Sequence, residues 1–164
     1  MKKLNFGCGR KILKDYVNAD IQEGEGITSF DFNQFPYPFK DNTFDYILCK
    51  DILQCLIHPT KVLNELHRIS KDKAIIKIII PYYNSKCAYN DLENRHYFNE
   101  TIFSVITNPK LHYGLSKPNF KLFSLKFIPT RLGRLIYPEK LRIFLSRLIP
   151  EIIHIIEGDL EVIK

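Results

Sequence analysis

The sequence lacks several features that would place it in common protein classes. It has no run of about 18 uninterrupted apolar residues, which argues against a membrane-spanning helix. Its start, Met1-Lys2-Lys3-Leu4, has no long apolar stretch of the signal-peptide kind, so we expect a cytoplasmic protein. No repeat, low-complexity tract or linker interrupts the chain, and we predict a single domain over residues 1–164.

Metal-site and disulfide patterns are also missing. The cysteines form no Cys-x-x-Cys pair and have no zinc-like spacing, so we expect reduced structural thiols at Cys8, Cys49, Cys55 and Cys87. The histidines show no ligand-like grouping at His58, His67, His112 and His154. We therefore predict no metal site.

What the chain does contain is an ordinary apolar fraction and an uneven distribution of charge. Apolar residues make up 45% of the chain and charged residues 26%, which suits a globular protein with a core. Residues 1–109 carry 14 Lys and Arg against 13 Asp and Glu, whereas residues 110–164 carry 10 against 5. This bias indicates the charge of a partner rather than the fold.

Short apolar, β-branched runs predict a mostly parallel sheet. Such near-continuous runs are typical of strands covered on both faces, and they occur at Leu4–Phe6, Tyr16–Ala19, Phe44–Cys49 and Ala74–Ile80. Helical spacing of apolar residues predicts a helix over Pro59–Ser70, which completes a βαβ unit. Further along we expect a strand over Phe120–Ile128, a helix over Pro138–Leu148 and a short last strand over Leu160–Ile163.

Glycines and acids follow the first strands. Gly7 and Gly9 come directly after the first strand, and Asp20 ends the second. An α/β sheet binds ligands outside the carboxyl ends of its strands, where glycine allows close approach to the backbone. A tight turn without a ligand is the alternative, less favoured explanation of the glycine pair. The dinucleotide fingerprint fits poorly, because it needs a third glycine and a later acid.

Longer stretches resemble a known family. The segments "LNFGCGRKILKDYVNADI", "DFNQFPYPFKDNTFDYILCKDILQCLIHPTKVLNELHRIS" and "IIIPYY" resemble class I S-adenosylmethionine-dependent methyltransferases of the compact, type 11-like branch. The resemblance covers roughly residues 3–103 and rests on four motifs in the right order. It implies a Rossmann-like α/β sheet, mostly parallel with an antiparallel last strand, and helices on both faces. The first crossover is too short for a full helix, so we expect one face to be thinly covered.

The resemblance also implies a cofactor site for S-adenosyl-L-methionine. Asp20 resembles the ribose acid, and Asp31 with Phe32 resembles the pair that contacts adenine, carboxylate to amine and ring against ring. The other residues implied at this site are Asn5, Gly7, Cys8, Gly9, Ile21, Cys49 and Lys50. Residues 1–109 would form the cofactor-binding core and residues 110–164 a basic part that completes the sheet.

Several positions depart from the family pattern. The first motif has Asn5 where an acid is usual, and the usual Glu-His pair is replaced by Gln54-Cys55. Asn94 stands where the family often has a histidine. A methyltransferase-like binding protein with weak or no turnover is therefore the main alternative to an enzyme, and a nucleotide-sugar or dinucleotide binder is a third.

Acceptor residues are expected after the fifth strand. Asp91 and His96 are the candidate catalytic residues, since a carboxylate or a histidine could remove a proton from the acceptor. For each of them a structural role, in loop ordering or packing, is the alternative. Candidate substrate contacts are Tyr82, Tyr83 and Arg95.

The basic C-terminal part indicates an anionic partner. Residues Lys110–Arg147 hold nine basic residues and one acid, Glu139, interleaved with apolar residues. Basic amphipathic helices bind anionic membranes or anionic substrates, although a solvated basic face over the sheet is the simpler reading. We expect a methyl acceptor that is a small molecule or is linked to a lipid or glycan, possible peripheral contact at the inner membrane surface, and no nucleic acid, since no recognition motif is present.

Overall fold

A computed structural model describes residues 1–111 and 119–164 of the chain. The strands are β1 (Lys3–Phe6), β2 (Tyr16–Asp20), β3 (Ile27–Ser29), β4 (Phe44–Lys50), β5 (Ser70–Pro81), β6 (Asn119–Pro129) and β7 (Ile153–Ile163). The helices are α1 (Pro59–Ile69), α2 (Thr101–Thr107) and α3 (Glu139–Ser146). Short 3-10 turns occur at Leu53–Cys55, Lys86–Ala88, Pro109–Leu111 and Gly133–Leu135. Two residues of the sequence analysis lie outside the described residues: His112, and Lys117, one of the nine basic residues of the segment Lys110–Arg147.

All seven strands form one sheet in the order β3-β2-β1-β4-β5-β7-β6. Strand β7 is antiparallel to both β5 and β6, and the pairs among β1 to β5 are parallel. This confirms the predicted Rossmann-like α/β sheet, mostly parallel with an antiparallel last strand, but not by itself the helices expected on both faces. Strands β2 and β3 lie on one side of β1, and β4 follows on the other side. The strand order therefore reverses its direction across the sheet at β1. In open α/β sheets such a reversal opens a crevice at the carboxyl ends of the strands.

Helices α1 and α2 cover the same face of the sheet. The ring of His67 in α1 packs against Phe120, which pairs with Val162 of β7. The ring of Phe103 in α2 lies over Gly158, four residues earlier on the same strand and hence on the same face. These contacts bury a continuous apolar layer that includes Val62, Leu66 and Ile76.

The opposite face is polar and half-exposed along β5 and β7. Here Lys77 Nζ lies 3.0 Å from Glu157 Oε2 and 3.8 Å from Asp159 Oδ1. Next to β1 this face is bordered by the chain between β1 and β2, which forms a loop of turns rather than a helix. The thin cover expected from the short first crossover is thus present in the structure.

Two strands are longer than the sequence predicts. Strand β5 begins at Ser70, directly after α1, and β7 begins at Ile153 instead of Leu160. The sequence conceals β7 because Gly158 lies at its centre, where glycine ordinarily weakens a strand. A Cβ atom at Gly158 would lie 2.0 Å from Cε1 of Phe103, so the glycine makes room for α2.

No helix within residues 1–111 and 119–164 is both long enough and apolar enough to cross a membrane.

Candidate functional site: a crevice between β1 and β4 and a polar cavity beside it

The first glycine turn is tight on one side and open on the other. Gly7 has φ +75°, and a Cβ atom there would lie 2.6 Å from Cγ1 of Ile52. Gly9 has φ +50°, and no atom lies within 4 Å of the place its Cβ would take. A side chain at Gly7 is therefore excluded, while the backbone at Gly9 is accessible to a ligand.

Asp20 ties this turn to the end of β2. The backbone N–H of Gly9 donates to Asp20 Oδ2 at 2.7 Å, and that of Gln22 donates to Oδ1 at 3.1 Å. Asp20 is only 8% exposed, yet each carboxylate oxygen can accept a second hydrogen bond. The acid predicted to hold a ribose thus lies beside the glycine turn, with acceptor capacity left. Burial and the charge of Asp20 raise the pKa of the neighbouring Cys8 thiol.

A cavity of about 500 Å³ lies at the carboxyl ends of β1 and β4. Its volume falls within the roughly 300–1,000 Å³ found for small-molecule sites. Five of the predicted cofactor residues line it, namely Asn5, Gly7, Cys8, Gly9 and Lys50. Lys11, Leu48 and Asp51 line it as well.

Two predicted cofactor contacts are directed elsewhere. The ring of Phe32 is 3% exposed and stacks on Phe6 with ring centroids 4.0 Å apart, so it is a core side chain and does not face an adenine in this structure. Cys49 is 1% exposed on the core face, and burial raises the pKa of its thiol. Only the backbone at these two positions could contact a ligand. Asp31 is half-buried, and its Oδ1 accepts the N–H of Asn33 at 2.8 Å.

Ile21 follows the ribose acid and lies on the surface. Its side chain is 61% exposed at the end of β2. An exposed apolar residue in this place is free to pack against a ligand that extends from Asp20.

The departure at Asn5 has a structural reason. Its side-chain N–H groups donate to the carbonyl of Lys11 and to Oδ1 of Asn18, both at 2.9 Å. Asn18 in turn accepts the N–H of Leu13 and donates to the carbonyls of Leu13 and Tyr16. A carboxylate at position 5 could donate neither bond. Asn5 therefore orders the loop that takes the place of a first helix.

A second, polar cavity of about 230 Å³ adjoins the first. Asp51 lines both cavities and so marks their junction. Asp91, a predicted catalytic residue, lines the second cavity together with Gln54, Cys87, Asn94 and His154. Burial raises the pKa of the Asp51 carboxyl, and the charges of Lys50 and Lys11 offset part of that effect.

The three family departures near this cavity lie together. Cys55 Sγ donates to Asn94 Oδ1 at 3.4 Å, and Asn94 Nδ2 donates to the carbonyl of Ala88 at 3.0 Å. Gln54 is 5% exposed, and its Oε1 is buried with no hydrogen-bond partner. A buried amide oxygen without a partner is costly, and a hydrogen-bond donor that reached it from the adjoining cavity would offset that cost.

The remaining acceptor candidates lie apart from the cavities. Tyr82 is fully buried, and its hydroxyl donates to Glu100 Oε2 at 3.0 Å. Tyr83 packs against Tyr82 with ring centroids 5.0 Å apart, and Arg95 is exposed. His96 Nε2 lies 2.9 Å from the carbonyl of Leu56, so it carries the proton, and the ring stacks on Phe98. In this position the His96 ring contacts the backbone of Leu56 and the ring of Phe98.

Sequence reasoning missed Asp51, Gln54 and His154 among the residues that line these cavities. Asp51 directly follows β4 at its carboxyl end, a position that could have singled it out. Gln54 was noted only as a departure from the family. His154 lies near the start of β7, which the sequence did not reveal as a strand. Among residues 1–111 and 119–164 no group of three or more His, Cys, Asp or Glu side chains could hold a metal ion.

Comparison with known proteins supports a methyltransferase-like fold. A family model described as a methyltransferase domain matches residues 9–78. A crystal structure of an S-adenosylmethionine-dependent methyltransferase from Archaeoglobus fulgidus superimposes with a TM-score of 0.69 at 16% identity, covering 98% of this chain and 85% of that one. The chain has the class I methyltransferase fold. The family resemblance seen in the sequence is thereby confirmed.

Two further comparisons limit what the likeness implies. An uncharacterized protein of Methanocaldococcus jannaschii is 33% identical over 96 residues, which is 57% of this chain but 39% of that protein. The chain thus spans well under half of that relative's length. The [4+2]-cyclase SpnF superimposes with a TM-score of 0.60 at 11% identity, covering 98% of this chain and 73% of that one. A fold similar to that of this chain thus also occurs in a protein named as a cyclase, so the fold by itself does not identify the reaction.

Proposed function

We propose that the protein binds S-adenosyl-L-methionine in the crevice between β1 and β4 and transfers its methyl group to a polar acceptor in the adjoining cavity. The hydrogen bond from Gly9 N–H to Asp20 Oδ2 carries this proposal. It joins the buried Asp20 carboxylate to the open backbone of Gly9, which lines a cavity of about 500 Å³. Those are the groups that a nucleoside diol and an amino-acid carboxylate require.

The residues present fit this cofactor. Asp20 would accept hydrogen bonds from the ribose hydroxyls through the acceptor positions that Gly9 and Gln22 leave open. Backbone N–H groups of the glycine turn, together with Lys50, would bind the carboxylate. The bound cofactor supplies an electrophilic methyl group on a sulfonium. The protein then has to align the acceptor, exclude water and accept a proton.

Asp51 is the residue best placed to accept that proton. It lies where the crevice meets the polar cavity, and its pKa is raised by burial. A carboxylate with a raised pKa is a stronger base than an ordinary aspartate. Asp91 lies in the same cavity and would hold a donor or a positive charge on the acceptor. An acceptor with an N–H or O–H group would also satisfy Gln54 Oε1.

A binding protein without turnover is the competing function. Two side chains support it, because each was predicted to be functional but contacts other parts of the protein. The ring of Phe32 packs on Phe6 in the core, and His96 donates to the carbonyl of Leu56. Both functions require cofactor binding. Only the enzyme would release S-adenosylhomocysteine.

Ligand binding separates these possibilities. Calorimetry and thermal unfolding should be run with S-adenosylmethionine, S-adenosylhomocysteine, NAD and UDP-glucose. We expect only the two sulfur nucleosides to bind and to raise the melting temperature, because a ligand that binds the folded state stabilises it. Protection by NAD or UDP-glucose alone would refute the proposal. Binding of the sulfur nucleosides, with no S-adenosylhomocysteine formed across a panel of small-molecule and lipid-linked acceptors, would support the binding protein instead.

A further inference from the structure

A stretch of large apolar side chains lies on the surface around α3. We call these seven residues the apolar rim: Leu132, Leu135, Tyr137, Leu141, Phe144, Leu148 and Ile149. Every one of them is exposed, with 81% of Leu135 and 86% of Tyr137 accessible. Single exposed apolar residues are normal, but seven within 18 consecutive positions are a concentration typical of interaction surfaces.

The apolar rim is carried by an ordered scaffold. Arg142 Nε donates to the carbonyl of Gly133 at 2.8 Å, and Arg142 Nη2 donates to that of Ile136 at 3.0 Å, which fastens α3 to the turn before it. That turn is anchored on β7 because Thr130 N–H donates to the carbonyl of Ile152 at 3.0 Å. A Cβ atom at Gly133 would lie 1.9 Å from that same oxygen. These contacts fix the position of α3 and of the turn before it, the two segments that carry the apolar rim.

Beside the apolar rim lies a basic cavity of about 480 Å³. Lys86, Arg131, Arg134 and His154 line it, together with the rim residue Leu132. The acid in its wall, Glu151, accepts the backbone N–H of Lys86. Within the described parts of the chain Arg131 and Arg134 form no ion pair. An anionic group would find two guanidinium groups and an ammonium group there.

We propose that the apolar rim and the basic cavity together bind the surface of an anionic lipid bilayer. Exposed aliphatic and aromatic side chains flanked by Arg and Lys are the combination that enters the headgroup boundary and pairs with anionic headgroups. In α3 and directly after it, Lys140, Phe144 and Arg147 lie at i, i+4 and i+7, so two basic residues flank the exposed Phe144. Arg147 pairs with Glu100 at 2.7 Å, which leaves Arg131, Arg134 and Lys140 as the main contacts for lipid phosphates.

This surface leads toward the polar cavity of the candidate site. His154 lines both the basic cavity and the cavity that contains Asp51 and Gln54. A molecule held by its anionic headgroup at Arg131 and Arg134 would thus extend toward Asp51. Membrane binding itself does not depend on methyl transfer, so it can be tested without a known acceptor.

The test is co-flotation with vesicles at low salt. We expect binding to vesicles of equal parts phosphatidylglycerol and phosphatidylcholine and not to phosphatidylcholine alone. The triple variant Arg131→Gln, Arg134→Gln, Lys140→Gln should weaken binding by roughly 100-fold, since each basic residue near an anionic surface contributes about 5-fold. The control Lys14→Gln, Lys40→Gln, Lys61→Gln makes the same charge change at exposed positions outside the surface and should bind as wild type.

A second pair of variants tests the apolar rim. Leu135→Ser with Phe144→Ser should also abolish flotation, whereas Ile12→Ser with Ile57→Ser, at positions 48% and 50% exposed elsewhere, should not. Equal flotation with both vesicle types, or none with either, would overturn the proposal. Binding of inorganic phosphate without vesicle binding, or a dimer that Leu135→Ser and Phe144→Ser dissociate in the absence of lipid, would overturn it in favour of a free anion or a second copy of the chain.

Discussion

The side-chain amide of Asn5 donates a hydrogen bond of 2.9 Å to Oδ1 of Asn18, across the adjacent strands β1 and β2. This buried pair also holds the loop between the two strands, because Asn5 bonds to Lys11 and Asn18 bonds to Leu13. The loop takes the place of a crossover helix, so the glycine turn above it depends on the two asparagines. The family's usual acid at this position would break the arrangement.

Asn5→Asp should therefore destabilise the protein at neutral pH. The introduced carboxylate would be buried against two oxygen acceptors, and we expect a loss of about 1–3 kcal/mol in the free energy of unfolding. Burial raises the pKa of such a carboxyl in the folded state, so the loss is full above that pKa and shrinks as the pH falls through it and the group regains a donor. Urea unfolding at neutral and acidic pH measures this. Asn5→Ala, which removes both bonds without a charge, should lose stability equally at both pH values.

Asp20→Ala should weaken binding of S-adenosylmethionine by about 10-fold or more, the scale of a lost charge-assisted hydrogen bond. Calorimetry measures the dissociation constant. Glu23→Ala is the matched control, because Glu23 is an exposed acid three residues further on, and we expect no change there. Asp20 also orders Gly9 and Gln22, so the unfolding curve of each ligand-free variant must be recorded. Unchanged affinity in a folded Asp20→Ala variant would reject the ribose assignment.

The sequence predicted those parts of the fold that depend on local pattern. Strands β1, β2 and β4 are apolar runs that end at glycine or at charged residues, and the helix predicted from Pro59 differs from α1 by a single residue. Strand β7 was mostly missed, because Gly158 and the acids at every second position conceal an inner strand, whose contacts with α2 and Lys77 come from distant parts of the chain.

The sequence predicted only those parts of the candidate site whose position follows from the glycine turn and from the ends of the strands. Gly7 and Gly9 line the crevice beside β1, and Asp20 accepts a hydrogen bond from the Gly9 backbone. Side-chain directions after β5 were not predictable. Tyr82 is drawn into the core by Glu100 and by Ser146, whose Oγ donates to the Tyr82 hydroxyl at 3.4 Å from 64 positions away. Such long-range contacts leave no trace in the local sequence.

Gln54→Met should not lower stability and should raise the free energy of unfolding by about 1 kcal/mol or more, because it replaces a buried, unpaired oxygen with an apolar group of similar volume. Urea unfolding of the ligand-free protein measures the change. Replacing a functional residue commonly raises stability in this way, because its polar atom serves a ligand and destabilises the ligand-free protein. The control Gln34→Met changes the same side chain in the loop after β3. A clear loss of stability on Gln54→Met would instead mean that the amide is paired internally.

Asp51→Asn should leave the protein at least as stable as wild type at neutral pH. Because burial raises the pKa of Asp51 in the folded state, the folded protein binds this proton more tightly than the unfolded chain. Its contribution to stability is therefore most favourable below the ordinary value of 3.8 and declines as the pH rises through the raised pKa. The asparagine avoids that decline, and it tolerates the backbone φ of +54°.

Chemical denaturation over a series of pH values compares Asp51→Asn with wild type. The stability difference should vanish in acid and favour the variant above the raised pKa, while a carboxyl titration followed by NMR gives that pKa directly. Asp15→Asn makes the same substitution at another residue with positive φ, +65°, and controls for the backbone effect. A variant less stable than wild type at every pH above 3.8 would mean that Lys50 and Lys11 stabilise the carboxylate by more than burial costs it. Asp51 would then be an ordinary ion-pair partner and no longer the candidate base.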